Sequence, residues 1–480
     1  MKLISKIGLF LFLLILFSGT TLSHTVVDDA DDVDIKGIWQ GALSIQGMEL
    51  RIVIHLSNDS TGALTGTMDS PDQGATGIPI SEVRFNGDSL RLEVEVARGV
   101  FKGKFLADSL LFDGTWSQGG FSLPLKLAKV DKLPEIKRPQ TPEKPYPYDE
   151  EDVSYKNGKA DIELAGTLTT PRGDGPFPVV LLISGSGAQD RDGAIFNHKP
   201  FLVISDYLTR QGIAVLRVDD RGVGGSGGNV SQSTSEDFAG DVLAGIEFLK
   251  TRPKIDKTKI GLIGHSEGGI IAPMAAAQSK DVAYIVLMAG TGLPGDKILY
   301  LQAALIAKTA GATDEAIAEN RAQQEQLFAV LKTEKDDSVA AIKLKEVIKK
   351  SIENLTEEQK KQAGDVESIA DGQVKQINTP WFRFFLTYDP KTALKKVTCP
   401  VLAINGSKDL QVPPKENLQA IEQTLKAAGN ENVTIKELPD LNHLFQTSET
   451  GSPTEYSKIE ETIAPVALQI IGDWILEICK

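Results

Sequence analysis

The chain has 480 residues, and its 51 basic and 65 acidic side chains give a net charge of −14 at pH 7. This acidic balance argues against nucleic acids and anionic membrane surfaces as partners. The only cysteines are Cys399 and Cys479. Because Cys399 opens an apolar run, we expect a buried, inert thiol there rather than half of a disulfide.

The amino terminus has the layout of a signal peptide. In residues 1–23, Lys2 and Lys6 precede an apolar run from Ile7 to Phe17, and cleavage is expected near Ser23. The run is shorter than the roughly 20 residues that a membrane-spanning helix needs. We therefore predict export to a periplasm or out of the cell, with no membrane span after cleavage.

Residues 24–36 form an acidic leader, and a β-rich domain is predicted over residues 37–129. About eight short apolar runs in this length are typical of a small antiparallel barrel or sandwich. The Asn86-Gly87 pair predicts a type I′ hairpin between two of them. The runs are Ile38–Ile45, Glu49–Leu56, Leu64–Met68, Glu82–Phe85, Leu90–Val96, Val100–Leu106, Leu110–Trp116 and Phe121–Leu127.

Trp39 and Trp116 admit two interpretations within this domain. Both could line a ligand pocket, but packed aromatic core residues are the commoner case. We therefore predict that both belong to the core, and no catalytic constellation is found in this domain.

A linker over residues 130–150 precedes an α/β domain over residues 151–480. Prolines at 134, 139, 142, 145 and 147 predict that the linker is stiff and extended. After it, apolar runs alternate with helix-like segments such as Ser235–Lys250, which opens on a capping pattern at Thr234. This alternation predicts a largely parallel sheet with helices on both faces. The strands are expected at Pro178–Ser184, Ile213–Val218, Ile260–Gly264, Tyr284–Ala289, Val401–Asn405 and Val433–Leu438.

The most informative stretch is Gly264-His265-Ser266-Glu267-Gly268. It follows an apolar run and precedes a helical stretch of small residues, which is the context in which G-x-S-x-G forms a nucleophile elbow. The glycines are required because the turn is strained and brings backbone segments close together. We therefore predict that Ser266 Oγ is a nucleophile at the carboxyl end of the sheet.

A serine nucleophile needs a general base, and elimination among the five histidines leaves His443. The order of the residues along the chain supports it, because the base follows the serine in this type of fold. The others are His24 beside the leader, His55 in the β-rich domain, His198 upstream of the serine, and His265, whose side chain is expected to point away from Ser266.

The base needs an orienting acid, for which there are two candidates. Asp409 follows the predicted strand Val401–Asn405, at the edge where open α/β sheets place their chemistry. Asp440 lies on the same loop as His443. We prefer Asp409 because it lies on the adjacent strand, although it could also serve only to cap the next helix.

Two glycine-rich loops follow strands upstream of the elbow. Residues 184–193 are expected to form the oxyanion hole, in which the backbone N–H of Ser186 or Gly187 joins that of Glu267. Residues 221–227 contain G-x-G-x-x-G, but the next helix starts only near Ser235. Because a dinucleotide-binding loop opens directly into its helix, we interpret residues 219–222 as a structured loop beside the site and predict no nucleotide.

An insertion over about residues 295–390 shows only amphipathic helical patterns, such as Tyr300–Thr309, Thr313–Leu331 and Val339–Glu353. Its position before the strand that carries Asp409 predicts a helical cap. We expect the aromatic segment Trp381–Phe385 to roof the substrate pocket, and a partner-binding or dimer contact is the alternative.

Three motifs together resemble bacterial α/β-hydrolase esterases of the serine-hydrolase superfamily, over roughly residues 150–480. They are Ser-Gly-Ser-Gly-x-x-Asp-Arg-Asp-Gly, Asp-Asp-Arg-Gly-x-Gly-x-Ser and Gly-His-Ser-Glu-Gly-Gly. The resemblance implies hydrolysis of carboxylic esters, often with short acyl chains, without a metal or cofactor. It implies Ser266 as nucleophile, Asp409 as acid and His443 as base.

Two other functions stay open at this point. Related sequences include peptidases, which would use the same three residues. A non-catalytic ligand-binding scaffold would be marked by a missing member of the triad, and all three members are present.

Overall fold

The computed structural model describes residues 34–45, 48–71, 75–118, 121–133, 137–353 and 365–480. The predicted signal peptide and all but the end of the acidic leader lie outside these residues. The chain divides into two compact units. The first takes in the β-rich domain together with residues 318–330 and 336–376, and the second consists of residues 137–317, 331–335 and 377–480. Nowhere in the described ranges is a helix both long and apolar enough to cross a membrane.

The β-rich domain is one nine-stranded antiparallel sheet in the order β4-β3-β2-β1-β9-β8-β7-β6-β5. The first strand pairs with both the second and the last, so the two ends of the domain meet in the middle of the sheet. The sequence missed β4, because Ala75–Pro79 has only one large apolar residue. The strands are β1 (Gly37–Ile45), β2 (Met48–Asn58), β3 (Leu64–Ser70), β4 (Ala75–Pro79), β5 (Glu82–Asn86), β6 (Ser89–Val94), β7 (Gly99–Leu106), β8 (Leu111–Gln118) and β9 (Phe121–Val130).

The core of this domain contains both tryptophans, as predicted. Trp39 and Trp116 are 1% and 3% exposed, and the Trp39 ring lies 4.5 Å from that of Phe112. The core also includes Ile35, whose carbonyl accepts a hydrogen bond from Trp39 Nε1 at 2.8 Å. The end of the predicted acidic leader therefore packs as part of the β-rich domain.

The predicted hairpin forms between β5 and β6, but with a different turn. Asn86 pairs with Ser89, so Gly87 and Asp88 are the two loop residues. Of these, Gly87 has a positive φ of 63°. A type I′ turn needs positive φ at both positions, whereas a glycine at the first position alone is the pattern of a type II′ turn.

The second unit contains an eight-stranded sheet in the order β10-β11-β13-β12-β14-β15-β16-β17. From β13 to β17 the neighbours are parallel, while β10 and β11 form an antiparallel edge. This confirms the predicted α/β-hydrolase fold. The strands are β10 (Asp149–Asn157), β11 (Ile162–Thr170), β12 (Phe177–Ile183), β13 (Ala214–Val218), β14 (Ile255–His265), β15 (Val282–Met288), β16 (Val401–Gly406) and β17 (Val433–Leu438).

Helices cover both faces of this sheet, because alternate residues of its central strands point to opposite sides. Leu181 and Leu262 pack on one side, and Val180 and Ile263 on the other. Helix α2 begins and ends where the sequence predicts, and the insertion is helical. The helices are α1 (Pro200–Arg210), α2 (Ser235–Lys250), α3 (Gly268–Ala276), α4 (Gly295–Thr309), α5 (Asp314–Thr333), α6 (Asp337–Glu353), α7 (Val366–Ile377), α8 (Pro380–Thr387), α9 (Lys391–Leu394), α10 (Pro414–Ala427) and α11 (Pro465–Ile478).

The second half of the predicted linker is bound to the α/β unit. The Arg138 guanidinium donates to the carbonyl oxygens of Phe196, Ser457 and Ile459 at 2.8 to 2.9 Å. The Gln140 side-chain amide both donates to and accepts from the backbone of residues 462–463. Proline content predicts an extended path here, but these contacts depend on distant parts of the chain.

Both cysteines are free thiols. Cys399 is partly buried just before β16, and burial raises the pKa of its thiol to about 11. The thiol is therefore protonated at neutral pH, in agreement with the inert role predicted for it.

Candidate active site

Ser266 occupies a strained turn between β14 and α3. Its φ is +55°, a left-handed conformation that is unfavourable for any residue with a side chain. A Cβ atom at position 264 would lie 2.0 Å from Gly268 O, and one at position 268 would lie 2.3 Å from Ile183 O. The close approach that requires both glycines is therefore present, and the predicted strand, turn and helix surround the serine.

His443 and Asp409 form a buried pair after neighbouring parallel strands. His443 Nδ1 donates to Asp409 Oδ2 at 2.8 Å, and the residues are 5% and 2% exposed. The other oxygen, Oδ1, accepts from the backbone N–H groups of Gln411 and Val412 at 2.8 and 2.9 Å. The second candidate acid, Asp440, is exposed and pairs with Lys408 at 2.9 Å. The structure thus brings Asp409, and not Asp440, to the histidine.

His265 connects this pair to the elbow. Its Nε2 lies 2.9 Å from the carbonyl oxygen of His443, and the two rings are 4.9 Å apart. A carbonyl only accepts, so Nε2 carries a proton. Burial, and then the nearby His443, lower the pKa of His265 to about 3, which keeps the ring neutral at neutral pH. The sequence excluded His265 as the base but did not indicate this contact, which joins the backbone of His443 to the residue that precedes Ser266.

The predicted oxyanion loop lies against the elbow. A Cβ atom on Gly185 would lie 3.2 Å from Ser266 Cβ. Gly187 has a φ of +99°, a conformation that favours glycine. Ser184 Oγ donates to Asp220 Oδ1 at 2.5 Å, and the backbone N–H of Gln189 donates to Asp220 Oδ2 at 2.9 Å. The loop is therefore held at both ends by one carboxyl.

The Asp220 carboxyl has an unusual electrostatic environment. Loss of solvent raises its pKa to about 7, opposed by the hydrogen bonds from Ser184 and Gln189, and the charges of Glu267 and Asp241 raise it further. A cavity of about 50 Å³ lies next to it, lined by apolar core residues, by Gly185 and Gly187 of the loop, and by the charged residues Asp219, Arg221 and Asp241. The sequence assigned no role to Asp220 beyond membership of a structured loop.

The side chain of Glu267 is the other residue that sequence reasoning missed. It is 2% exposed, and its Oε1 accepts from Ser235 Oγ at 2.6 Å and from Trp381 Nε1 at 2.8 Å. Burial raises the pKa of this carboxyl. The prediction concerned only the Glu267 backbone, whereas its side chain joins the elbow to α2 and to α8.

The loop that contains G-x-G-x-x-G is held by ion pairs. Arg191 binds Asp219 through its backbone N–H and its guanidinium, the shortest contacts being 2.8 Å. Arg221 binds both oxygens of Asp241 at 2.7 and 2.8 Å. Helix α2 starts only at Ser235, as predicted. The structured loop inferred from the sequence is therefore confirmed.

The remaining described histidines lie in structural environments. His55 Nε2 is 2.7 Å from Asp69 in the β-rich domain. His198 is buried against Thr462 and the carbonyl oxygen of Tyr456, and its pKa is lowered to about 4 by burial and then by the charge of Arg138. Within the described part of the chain, no group of three or more His, Cys, Asp or Glu side chains is arranged to hold a metal ion.

Comparisons with known proteins agree on a hydrolase. The family model described as X-Pro dipeptidyl-peptidase (S15 family) matches residues 158–437. Among curated proteins, Esterase EstD of Thermotoga maritima is 27% identical over 315 residues, or 65% of this chain. The chain spans only 64% of the length of that relative.

Solved structures of two esterases are also similar to the chain at low identity. One is an esterase of Pyrococcus furiosus, 16% identical, covering 72% of this chain and 98% of its own, with a TM-score of 0.41. The other is Est1E of Butyrivibrio proteoclasticus with ferulic acid bound, 18% identical. It covers 68% of this chain and 100% of its own, with a TM-score of 0.40.

Proposed function

The chain belongs to the X-Pro dipeptidyl-peptidase (S15) family, and we propose that it hydrolyses carboxylic esters through an acyl-enzyme on Ser266. The observation that carries the proposal is the buried hydrogen bond between His443 and Asp409. The backbone of His443 is in turn bonded to His265, the residue that precedes Ser266 in the elbow, and Ser266 has a positive φ. This arrangement supplies a nucleophile, a base and an orienting acid, the three parts of a serine hydrolase. No step of the proposed reaction uses a metal or cofactor.

The proposed reaction has two steps. Because His443 Nδ1 donates to Asp409, its Nε2 carries the lone pair that takes the proton from Ser266 Oγ. Ser266 Oγ attacks the ester carbonyl, and the N–H groups of Glu267 and of Ser186 or Gly187 stabilise the oxyanion. His443 then protonates the leaving alcohol. A water molecule, deprotonated by His443, hydrolyses the acyl-enzyme and regenerates Ser266.

The scissile bond is proposed to be an ester, with a peptide bond as the second candidate. The ester is favoured by the curated relative, which is named an esterase and matches 65% of this chain. The peptide bond is favoured by the description of the matching family model. Both reactions use the same three side chains, so a substrate panel decides between them.

The test uses a fluorophosphonate probe, a chain-length series of aryl esters and an X-Pro dipeptide amide. We expect the wild type to be labelled and to turn over short esters, and Ser266→Ala to lose labelling and lower kcat by about 10⁴- to 10⁶-fold. Labelling with turnover of the dipeptide amide alone would transfer the assignment to a peptidase. A wild type that is not labelled would favour a ligand-binding scaffold instead.

We propose that the aromatic segment of α8 contributes to substrate range. The support is the contact between Trp381 Nε1 and the Glu267 side chain, together with the stacking of Trp381 on Phe385 at 5.3 Å. Trp381→Phe keeps the aromatic ring and removes the hydrogen bond. We expect it to change the order of KM values across the ester series, and an unchanged order would contradict this role.

We also propose that the protein is exported after cleavage near Ser23, on the strength of the charged, apolar and small-residue order of residues 1–23. Expression of the full chain in a bacterial host, followed by cell fractionation and amino-terminal sequencing, tests this. A product that retains Met1 in the cytosol would contradict export.

A further inference from the structure

The oxyanion loop is fastened at two points by the carboxyl of a single residue, Asp220. Ser184 is the first residue after β12, and its Oγ donates to Asp220 Oδ1 at 2.5 Å. The backbone N–H of Gln189 donates to Asp220 Oδ2 at 2.9 Å. Asp220 also donates its own backbone N–H to Gln189 O at 3.0 Å. The three contacts bracket residues 185–188, the stretch that carries the candidate oxyanion donors.

Among the described residues, Asp220 makes these contacts without a partner cation on its carboxyl. The neighbouring guanidinium groups are engaged elsewhere, because Arg191 binds Asp219 and Arg221 binds Asp241. The two oxygens of Asp220 are thus left to the loop. Asp220 therefore stabilises the conformation of residues 184–189 and does not take part in the ion pairs around it.

The bracketed stretch contacts the elbow directly. A Cβ on Gly185 would lie 3.2 Å from Ser266 Cβ, so the loop backbone at Gly185 lies beside the nucleophile. A shift of the loop would therefore move an oxyanion donor relative to Ser266.

We propose that Asp220 is a positioning residue for the hydrolysis proposed above: through Ser184 and Gln189 it holds the oxyanion loop in the conformation that receives the carbonyl oxygen. The inference rests on the proposed function. Oxyanion donors act only when they are held about 2.7–3.1 Å from the developing charge, and losing one typically lowers kcat by about 10²- to 10³-fold. A loosened donor is displaced rather than removed, so a smaller loss is expected.

The test compares Ser184→Ala, Asp220→Ala and Asp220→Asn in the full chain. Two quantities are measured: kcat and KM for an aryl ester, and the rate constant for labelling of Ser266 by a fluorophosphonate. We expect the two alanine variants to lower kcat and the labelling rate by about 10- to 100-fold, with KM within about threefold. Asp220→Asn keeps one acceptor for Ser184 and is expected to lose less. The double variant with alanine at both positions should be no slower than Asp220→Ala, because both changes release the same loop.

The matched control is Ser226→Ala. Ser226 is 7% exposed, and its hydroxyl donates to Asp219 O at 2.7 Å and accepts from Ala165 N at 2.9 Å, so it makes two hydrogen bonds outside the oxyanion loop. We expect it to lower the melting temperature without lowering kcat. Wild-type kcat in folded Ser184→Ala and Asp220→Ala would overturn the positioning role, and so would an equal loss of kcat in Ser226→Ala. If the wild-type serine is not labelled, the proposed function itself fails, and this inference fails with it.

Discussion

Replacing Ser266 by glycine instead of alanine separates the strain at the nucleophile from its chemistry. Both changes remove Oγ and should abolish hydrolysis. At a φ of +55°, however, alanine retains the steric conflict of serine and glycine does not. A left-handed conformation costs a residue with a Cβ about 1–2 kcal/mol. The glycine variant is relieved of this strain, but it also loses about 0.5–1 kcal/mol more than the alanine variant in backbone entropy on folding. The difference predicts that Ser266→Gly is about 0.5–1 kcal/mol more stable than Ser266→Ala.

The assay is thermal or urea unfolding of the two variants side by side, where this difference corresponds to a melting temperature about 1–2 °C higher for the glycine variant. Ser407 provides the control, since it also follows a parallel strand but is not among the residues at positive φ. There the order should reverse, with Ser407→Gly less stable than Ser407→Ala by about 0.5–1 kcal/mol. If Ser266→Gly were no more stable than Ser266→Ala while the Ser407 pair behaved as expected, the assignment of strain to the elbow would be refuted.

Three further predictions concern the acid, a buried histidine and the linker. Asp409→Asn should lower kcat by about 10⁴-fold, because the histidine loses the acceptor that orients it, whereas the exposed Asp440→Asn should retain near wild-type kcat. The pKa of His198 is lowered to about 4 in the folded state, against about 6.5 in the unfolded chain. Between these pH values the unfolded chain binds more protons, so the free energy of unfolding falls as the pH drops, by about 2 kcal/mol from pH 7 to pH 5 for this group alone. Urea unfolding of His198→Gln should therefore depend less on pH than that of the wild type. Equal pH dependence in the two proteins would contradict it. Arg138→Ala leaves three carbonyl oxygens without their donor and should lower the free energy of unfolding by about 1–3 kcal/mol, while Lys137→Ala at the neighbouring exposed position should be neutral by the same measurement.

The sequence predicts most of the α/β unit because its signals are local. Continuous apolar runs mark the parallel strands, and the capping box at Thr234 marks the start of α2 at the correct residue. The antiparallel edge strand β10 was missed because it has no such local signal. Strand β10 begins with Asp149-Glu150-Glu151-Asp152, which has no apolar alternation, and it is a strand only because β11 pairs with it.

The elbow is the part of the candidate site that the sequence alone determined. Its serine and both glycines lie within five consecutive residues, so the steric requirement of the turn can be recognised from this short segment alone. The histidine could be reached by elimination. The acid could not be decided this way, because Asp409 and Asp440 both precede His443 and the choice depends on how two strands align.

Only the tertiary structure decided the contacts between residues far apart in the sequence. Asp409 and His443 are 34 positions apart, Ser184 and Asp220 are 36 apart, and Glu267 and Trp381 are 114 apart. No local pattern records such pairs, since each side chain is unremarkable in its own segment. The first two pairs meet because parallel strands bring their carboxyl ends to one edge of the sheet. Trp381 instead reaches Glu267 from helix α8.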